Sequence, residues 1–226
     1  SAAAGASPLA NLGASLVVER VELGGGRGLS GIAGSLTCDA KGEPRAASFA
    51  ASEGAGNRFT ATLQTAADGL ARTTEMSADD VPRWAGALAT PFREMPAPED
   101  LAPLVGYLET VSGLLAGGSL AAKATMPVDQ TTRRVDADIV IRDATLVRFP
   151  RVVQMLALKS GKTLRDRPLV RELRFGAVSL AGEQLKVSGV LLAGSGLIDR
   201  LKINSASYAL DTEVIAADGS YFGIGF

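Results

Sequence analysis

A chain of 226 residues that is 46% hydrophobic and 21% charged can bury one large core or two small ones, which argues against a disordered polymer. Its formal net charge of −1, from 23 basic and 24 acidic residues, argues against a nucleic-acid partner and against a polybasic membrane anchor. Histidine is absent, which removes Ser-His-Asp and Cys-His nucleophile systems, imidazole metal sites and imidazole acid–base chemistry.

The 26 glycines and the 5% share of aromatics suit many strands joined by tight turns around a core of Val, Leu, Ile and Ala. Cys38 is the single cysteine, so no intramolecular disulfide forms. No run of about 20 apolar residues is present to span a bilayer. The opening SAAAGASPL lacks Met and a signal-peptide pattern, and is expected to belong to a piece of a longer protein.

The first strand is expected over Ala14–Leu23 (ASLVVERVEL), ended by Gly24-Gly25-Gly26, and the second over Gly28–Thr37. Further strands follow over Ala46–Ser52, Arg58–Gln64 and Leu70–Met76, and this regular spacing with turn signals predicts a meander. Period-2 alternation is clearest in RFTATLQ, where Phe59, Ala61 and Leu63 face one way and Arg58, Thr60, Thr62 and Gln64 the other. Gly26-Arg-Gly28-Leu-Ser-Gly31 has the G-x-G-x-x-G dinucleotide spacing. A strand rather than a helix follows it, however, so it reads as a turn.

The period then changes. Ser77 is the expected N-cap, with Asp80 three residues on, of a helix carrying Val81, Trp84 and Leu88 and stopping before Pro91. A second helix is expected over Pro98–Gly118, with Leu101, Leu104, Val105, Leu108, Val111 and Leu115 on one stripe. Glu99 and Asp100 stand in its first turn and Gly117-Gly118 at its end. That stripe packs on the sheet or covers a groove with apolar walls. Trp84, like Met155 further on, reads as core.

Strands return over Ser119–Pro127 and over Arg134–Phe149, the latter as two strands or one bent one. A short helix is expected from Pro150 to Gly161. The remaining expected strands are Val170–Val178, Gln184–Gly194, Ser195–Ile203 and Ala206–Ala217. Asp136 and Asp138, near Asp143, read as a solvated strand face, with a glycosidase or Ca²⁺ carboxylate pair as the chemical alternative. Ser160-Gly-Lys162 and Ser195 fit neither S-x-x-K nor G-x-S-x-G and read as turns.

The expected fold is mainly β: an open, curved, groove-like antiparallel sheet with two to three short helices packed at its side. Residues 1–226 form a single module, with a strand meander over 1–76, a helical insertion over 77–118 and a strand–helix–strand part over 119–226. An alternating strand gives a sheet one greasy face, and an uncovered face of that kind holds hydrocarbon without specific chemistry. The candidate groove positions are Phe59, Leu63, Ile139, Ile141, Phe175, Leu185, Val187, Leu191, Tyr208, Leu210 and Val214; the alternative is an ordinary core between sheet and helices.

The order of features from Gly113 to Ile203 resembles the C-terminal region of the AsmA-like family of Gram-negative envelope proteins. The resemblance is carried by GLLAGGSLAAKA (Gly113–Ala124), then Arg142-Asp143-Ala144-Thr145-Leu146, then the Pro-led segment Pro150–Leu158. A strand ending in Phe (Leu173–Phe175) and the turn Gly196-Leu197-Ile198-Asp199 complete it. The family's N-terminal membrane helix, and its polar, proline-containing segment after that last turn, are not found in this sequence. The resemblance implies a periplasmic protein anchored in the inner membrane, of the AsmA, TamB and YhdP kind, with a role in phospholipid transport or outer-membrane maintenance along a β-sheet groove. It implies phospholipid acyl chains and envelope proteins as partners, no cofactor or metal, and no catalytic residues. A structural or protein-interaction β domain in a larger complex is the alternative function.

Overall fold

The computed structural model describes residues 7–24, 26–54, 56–90, 108–109, 111–129, 135–148, 169–181, 184–194, 201–209, 215–221 and 224–225. Alternating sequence becomes one antiparallel sheet of thirteen strands, and all but two of these are seven residues or longer. Apart from one two-residue strand, the order across the sheet is the order along the chain. β1 (Gly13–Gly24), β2 (Arg27–Cys38), β3 (Pro44–Glu53), β4 (Asn57–Thr65) and β5 (Ala71–Ala78) are joined by tight turns. Helix α1 (Val81–Ala89) and the two-residue β6 (Leu115–Ala116) intervene before β7 (Ser119–Pro127), which pairs with β5. The sheet continues through β8 (Asp136–Leu146), β9 (Leu169–Ala181), β10 (Gln184–Gly194), β11 (Leu201–Ala209), β12 (Ile215–Tyr221) and β13 (Ile224–Gly225). β1 does not pair with β13, so the sheet is open and not a barrel.

The expected meander is present, with β1 to β4 extended by one or two residues at each end and β5 running Ala71–Ala78 in place of Leu70–Met76. Gly26 occupies the β1–β2 turn at φ +75°, and the glycine-rich motif runs on into strand β2, not into a helix. Within β2, Gly31 at φ +58° opens a bulge where the pairing to β3 shifts register. Strict alternation puts residues three apart on opposite faces. The bulge lets Leu29 and Ile32 both turn inward, and both are buried.

Three expectations are corrected. Ser77 is still in strand β5, and the N-cap of α1 is Asp80, whose carboxylate accepts the Arg83 N–H at 3.1 Å. Asp80 sits in extended backbone directly before Pro-containing helix, which suits it as a cap; Ser77 is held in the ladder by pairing with Ala121. The second helix ends before Leu115, because Leu115 and Ala116 leave it to pair with Leu146 and Thr145 of β8. Of the two readings of the stretch after β7, the single strand holds: β8 runs Asp136–Leu146, with Asp143 at φ +55° near its end. Finally, the last two strands are displaced: Asn204 and Ser205, expected between strands, lie inside β11, and β12 begins only at Ile215. The expected helix over Pro150–Gly161, most of the Leu101–Leu115 stripe, and Met155, Ser160, Lys162 and Ser195 lie outside the described residues.

Two cores form on the inner face. One gathers Leu29, Ile32, Ala51, Ala78 and Trp84; the other gathers Val81, Leu115, Ile141, Ala144, Leu146, Val170 and Leu192. Leu120 packs against both and joins them. α1 rests between them, with Val81, Trp84, Ala85 and Ala89 buried. Its position is set by three tethers: the Asp80 cap, the Val81 N–H donating to the Gly118 carbonyl at 2.9 Å, and an ion pair from Arg83 to the buried Glu53 of β3. No helix among the described residues is long and apolar enough to cross a membrane.

Candidate apolar groove

In an antiparallel sheet, residues directly opposite each other project to the same face, so the register sorts side chains into rows running across the strands. One row is Ala51, Phe59, Ala78, Leu120, Ile141, Leu173 and Leu192, spanning β3 to β10. The next row on that face is Leu16, Gly34, Phe49, Ala61, Met76, Ala122, Ile139 and Phe175, spanning β1 to β9. A third is Ala14, Leu36, Ala47, Leu63, Thr74, Ala124 and Ala137, with Thr74 its only polar member. The interleaved row on the other face is Ser15, Ser35, Ser48, Thr62, Glu75, Lys123 and Asp138, polar at every position.

The outer face is tied by charge. Lys123 pairs with Glu75 at 2.8 Å, Arg174 with Asp138 at 3.0 Å and Arg142 with Glu172 at 3.5 Å. These are half-exposed or exposed pairs whose individual contributions are small. Asp138 is therefore engaged as part of a solvated face. Among the described residues no group of three or more carboxylates or thiols converges as a metal site.

The inner face is sealed unevenly. In the first row Ala51, Ala78, Ile141 and Leu192 are buried under α1 and the segment leading to β6. In the second and third rows no residue is fully buried, and Leu16 keeps 58% of its surface and Met76 36%. Among the described residues, helix coverage thus stops after one row, with half-buried apolar surface beside it.

Where coverage meets the open face there is a cavity of about 470 Å³. Its floor is Phe59, Ala78, Leu120, Ile139, Ile141, Leu146, Leu173 and Phe175 from the sheet. Its roof is Val81, Trp84, Ala85 and Leu88 from α1, with Leu108, Val111, Leu114 and Leu115 beyond. Every described wall residue is apolar, and none of them titrates. The space is half-open to solvent and far exceeds the volume that holds a single water. The pairing of β6 with the end of β8, and the Val147 N–H donating to the Leu114 carbonyl at 2.9 Å, tie the far part of the roof to the end of that strand.

No protein-family model, curated protein or solved structure matches this chain.

The eleven candidate positions distribute as follows. Phe59, Ile139, Ile141 and Phe175 come together as cavity walls, although they lie on three strands and up to 116 residues apart in the chain. Leu63 sits four residues along β4 from Phe59, half-buried in the third row. Val187 is half-buried on β10, at a register position opposite Val178. Leu191 is opposite Arg174 and so stands on the charged face, away from the cavity. Leu185 and Tyr208 are paired with each other across β10 and β11. Leu210 and Val214 lie outside the described residues.

Sequence reading missed Leu120, Leu146 and Leu173, and treated Trp84 as plain core. The alternation of Leu120, Ala122, Ala124 and Met126 in β7 was a usable signal, as was Leu173 two residues before Phe175. Nothing local marks Trp84 as a wall; only the placement of α1 over the sheet does so.

Proposed function

We propose that this chain is a non-catalytic β module that holds phospholipid acyl chains along its inner face. The observation that carries the reading is the apolar face itself: three neighbouring rows, one sealed and two left half-open, with an apolar cavity at their junction. Burying an acyl chain contributes about 0.8 kcal/mol per CH₂, so a surface of this kind retains lipid with no reactive group. The order of features resembling the AsmA-like family supports a periplasmic setting in a protein anchored in the inner membrane, serving phospholipid transport or outer-membrane maintenance. The reading needs neither cofactor nor metal.

The test is native mass spectrometry of the purified protein, followed by uptake of a fluorescent phospholipid from vesicles. Bound phospholipid that exchanges with the labelled lipid is expected. A protein that emerges lipid-free and takes up no label overturns the reading.

A second reading, a β domain that recruits an envelope protein, is favoured by one feature. β1 is a twelve-residue edge strand whose Val17 keeps 83% of its surface, and a free edge of that length can accept an added strand. A stoichiometric protein partner captured without lipid supports this reading over the first.

A further inference from the structure

We infer that the end of the inner face remote from α1 binds the phosphate of a phospholipid whose acyl chain lies along the strands toward the cavity. This rests on the acyl-chain reading and adds a headgroup class and a direction for the lipid. The pairing of β4 with β5 and of β5 with β7 runs without a register shift, so one face can be followed along each strand. On that face β4 presents Phe59, Ala61, Leu63 and then Thr65, while β5 presents Ala78, Met76, Thr74 and then Arg72. Thr65 pairs with Arg72, and Met126 of β7 stands opposite Arg72 on its other side. The apolar face therefore runs from α1 into a polar, charged row. Phe59 and Thr65 are six residues apart, about 20 Å of strand. Acyl chains of one bilayer leaflet take about 15 Å, half of the hydrocarbon core, so a chain that enters the cavity spans most of the way to that row.

Thr65 and Arg72 line a recess of about 470 Å³ whose other charged lining residues are Asp39, Lys41, Glu43, Arg45 and Asp68. Its described carboxylates are already engaged. Asp39 accepts the Lys41 and Glu43 N–H groups, Asp68 accepts the Leu70 N–H at 2.9 Å, and Glu43 pairs with Arg72. The Arg72 side chain keeps only 11% of its surface, so it supplies a fixed charge more than a grip. Lys41 and Arg45 are exposed and form no ion pair among the described residues. Arginine holds phosphate through two parallel N–H donors and lysine holds it as a point charge. At the α1 end, by contrast, Arg83 is committed to the buried Glu53. Arg27 there donates from Nη1 to the Arg83 carbonyl at 3.5 Å. Free positive charge at one end of an apolar strip matches an amphiphile with a phosphate at one end.

The experiment compares two lipids that differ only by the phosphate, dipalmitoyl phosphatidic acid and dipalmitoylglycerol, each delivered from cyclodextrin and quantified on the protein after gel filtration. The natural chain is expected to prefer phosphatidic acid, with a preference that shrinks as salt is raised, a readout that requires no variant. Lys41→Gln with Arg45→Gln, both at exposed positions, is expected to bind phosphatidic acid about tenfold more weakly and dipalmitoylglycerol unchanged. Arg27→Gln, at the α1 end, is expected to change neither. Equal binding of the two lipids by the natural chain, or a double variant that keeps the preference, overturns the inference and leaves the acyl-chain reading standing. A loss confined to Arg27→Gln overturns it by reversing the lipid. Displacement of the lipid by glycerol 3-phosphate overturns it also, in favour of a free-phosphate site. Binding of neither lipid overturns both readings.

Discussion

Two residues show how tightly local chemistry holds this sheet together. Gly118 is at φ +94°, and a Cβ placed on it lies 2.6 Å from the Ala144 Cβ and 3.0 Å from the Arg142 carbonyl. Its own carbonyl receives the first N–H of α1. Gly118→Ala is therefore expected to lower stability by about 1–3 kcal/mol from backbone conformation alone, with the clash in addition, measured as the urea midpoint. Asp39 in the β2–β3 turn accepts the Glu43 N–H at 3.0 Å and the Lys41 N–H at 2.8 Å, and these bonds hold its carboxyl below the ordinary value of 3.8. A depressed folded pKa means a contribution that is complete above the unfolded value and is lost as pH falls through the folded one. Asp39→Asn keeps the turn's side-chain acceptor but removes the charge. Its urea midpoint is expected to fall below that of the natural chain at pH 7, with the difference closing as the pH falls below 3.8. A gap that stays constant down to pH 2 contradicts this account.

At the scale of elements, α1 decides how much of the inner face is sealed. Glu53 of β3 is buried, and Arg83 of α1 is its partner. Arg83→Leu leaves a buried carboxylate without its cation, and removing such a partner costs about 1–3 kcal/mol. Glu53→Gln with Arg83→Leu removes the uncompensated charge, so the double variant is expected to be more stable than Arg83→Leu alone in thermal unfolding. The roof of the cavity offers a different variant. Ala85 is 5% exposed and faces the 470 Å³ space, so Ala85→Phe has room to enter it. Overpacking a full core costs about 1–3 kcal/mol; here the extra ring fills vacant volume, and an unchanged melting temperature with lost lipid uptake is expected. A large loss of stability shows instead that the space is filled by the protein's own chain.

For the whole molecule, the open sheet has two liabilities of different kind, an edge and a face. Lysine on an edge strand is a common block to strand addition. Val17→Lys at the β1 edge is expected to suppress any self-association or protein capture in sedimentation measurements while leaving lipid uptake unchanged. Loss of lipid uptake in that variant places the lipid at the edge and not on the inner face.

The meander was legible from the chain because alternation, turn glycines and regular spacing are local properties. RFTATLQ and SLAAKATM declare their two faces without help from the rest of the fold. Phe59, Ile139, Ile141 and Phe175 were readable as greasy positions for the same reason. Their meeting in one cavity was not, since register across β4, β8 and β9 depends on pairing over long separations. Leu191 shows the limit: its apolar character was plain, but only the pairing with Arg174 reveals that it points to the charged face. The Asp80 cap displaced Ser77 because β5 runs two residues further when β7 is there to pair with it.

By itself, then, the sequence determined the class of element, the turn positions and the existence of one apolar and one polar face, all of which follow from side-chain period and backbone preference. Tertiary structure alone decided which rows α1 covers and where the unfilled space lies. Those depend on how far a helix reaches across a sheet, and that distance is set by contacts between residues remote in the chain, such as Glu53 with Arg83 and Leu115 with Leu146.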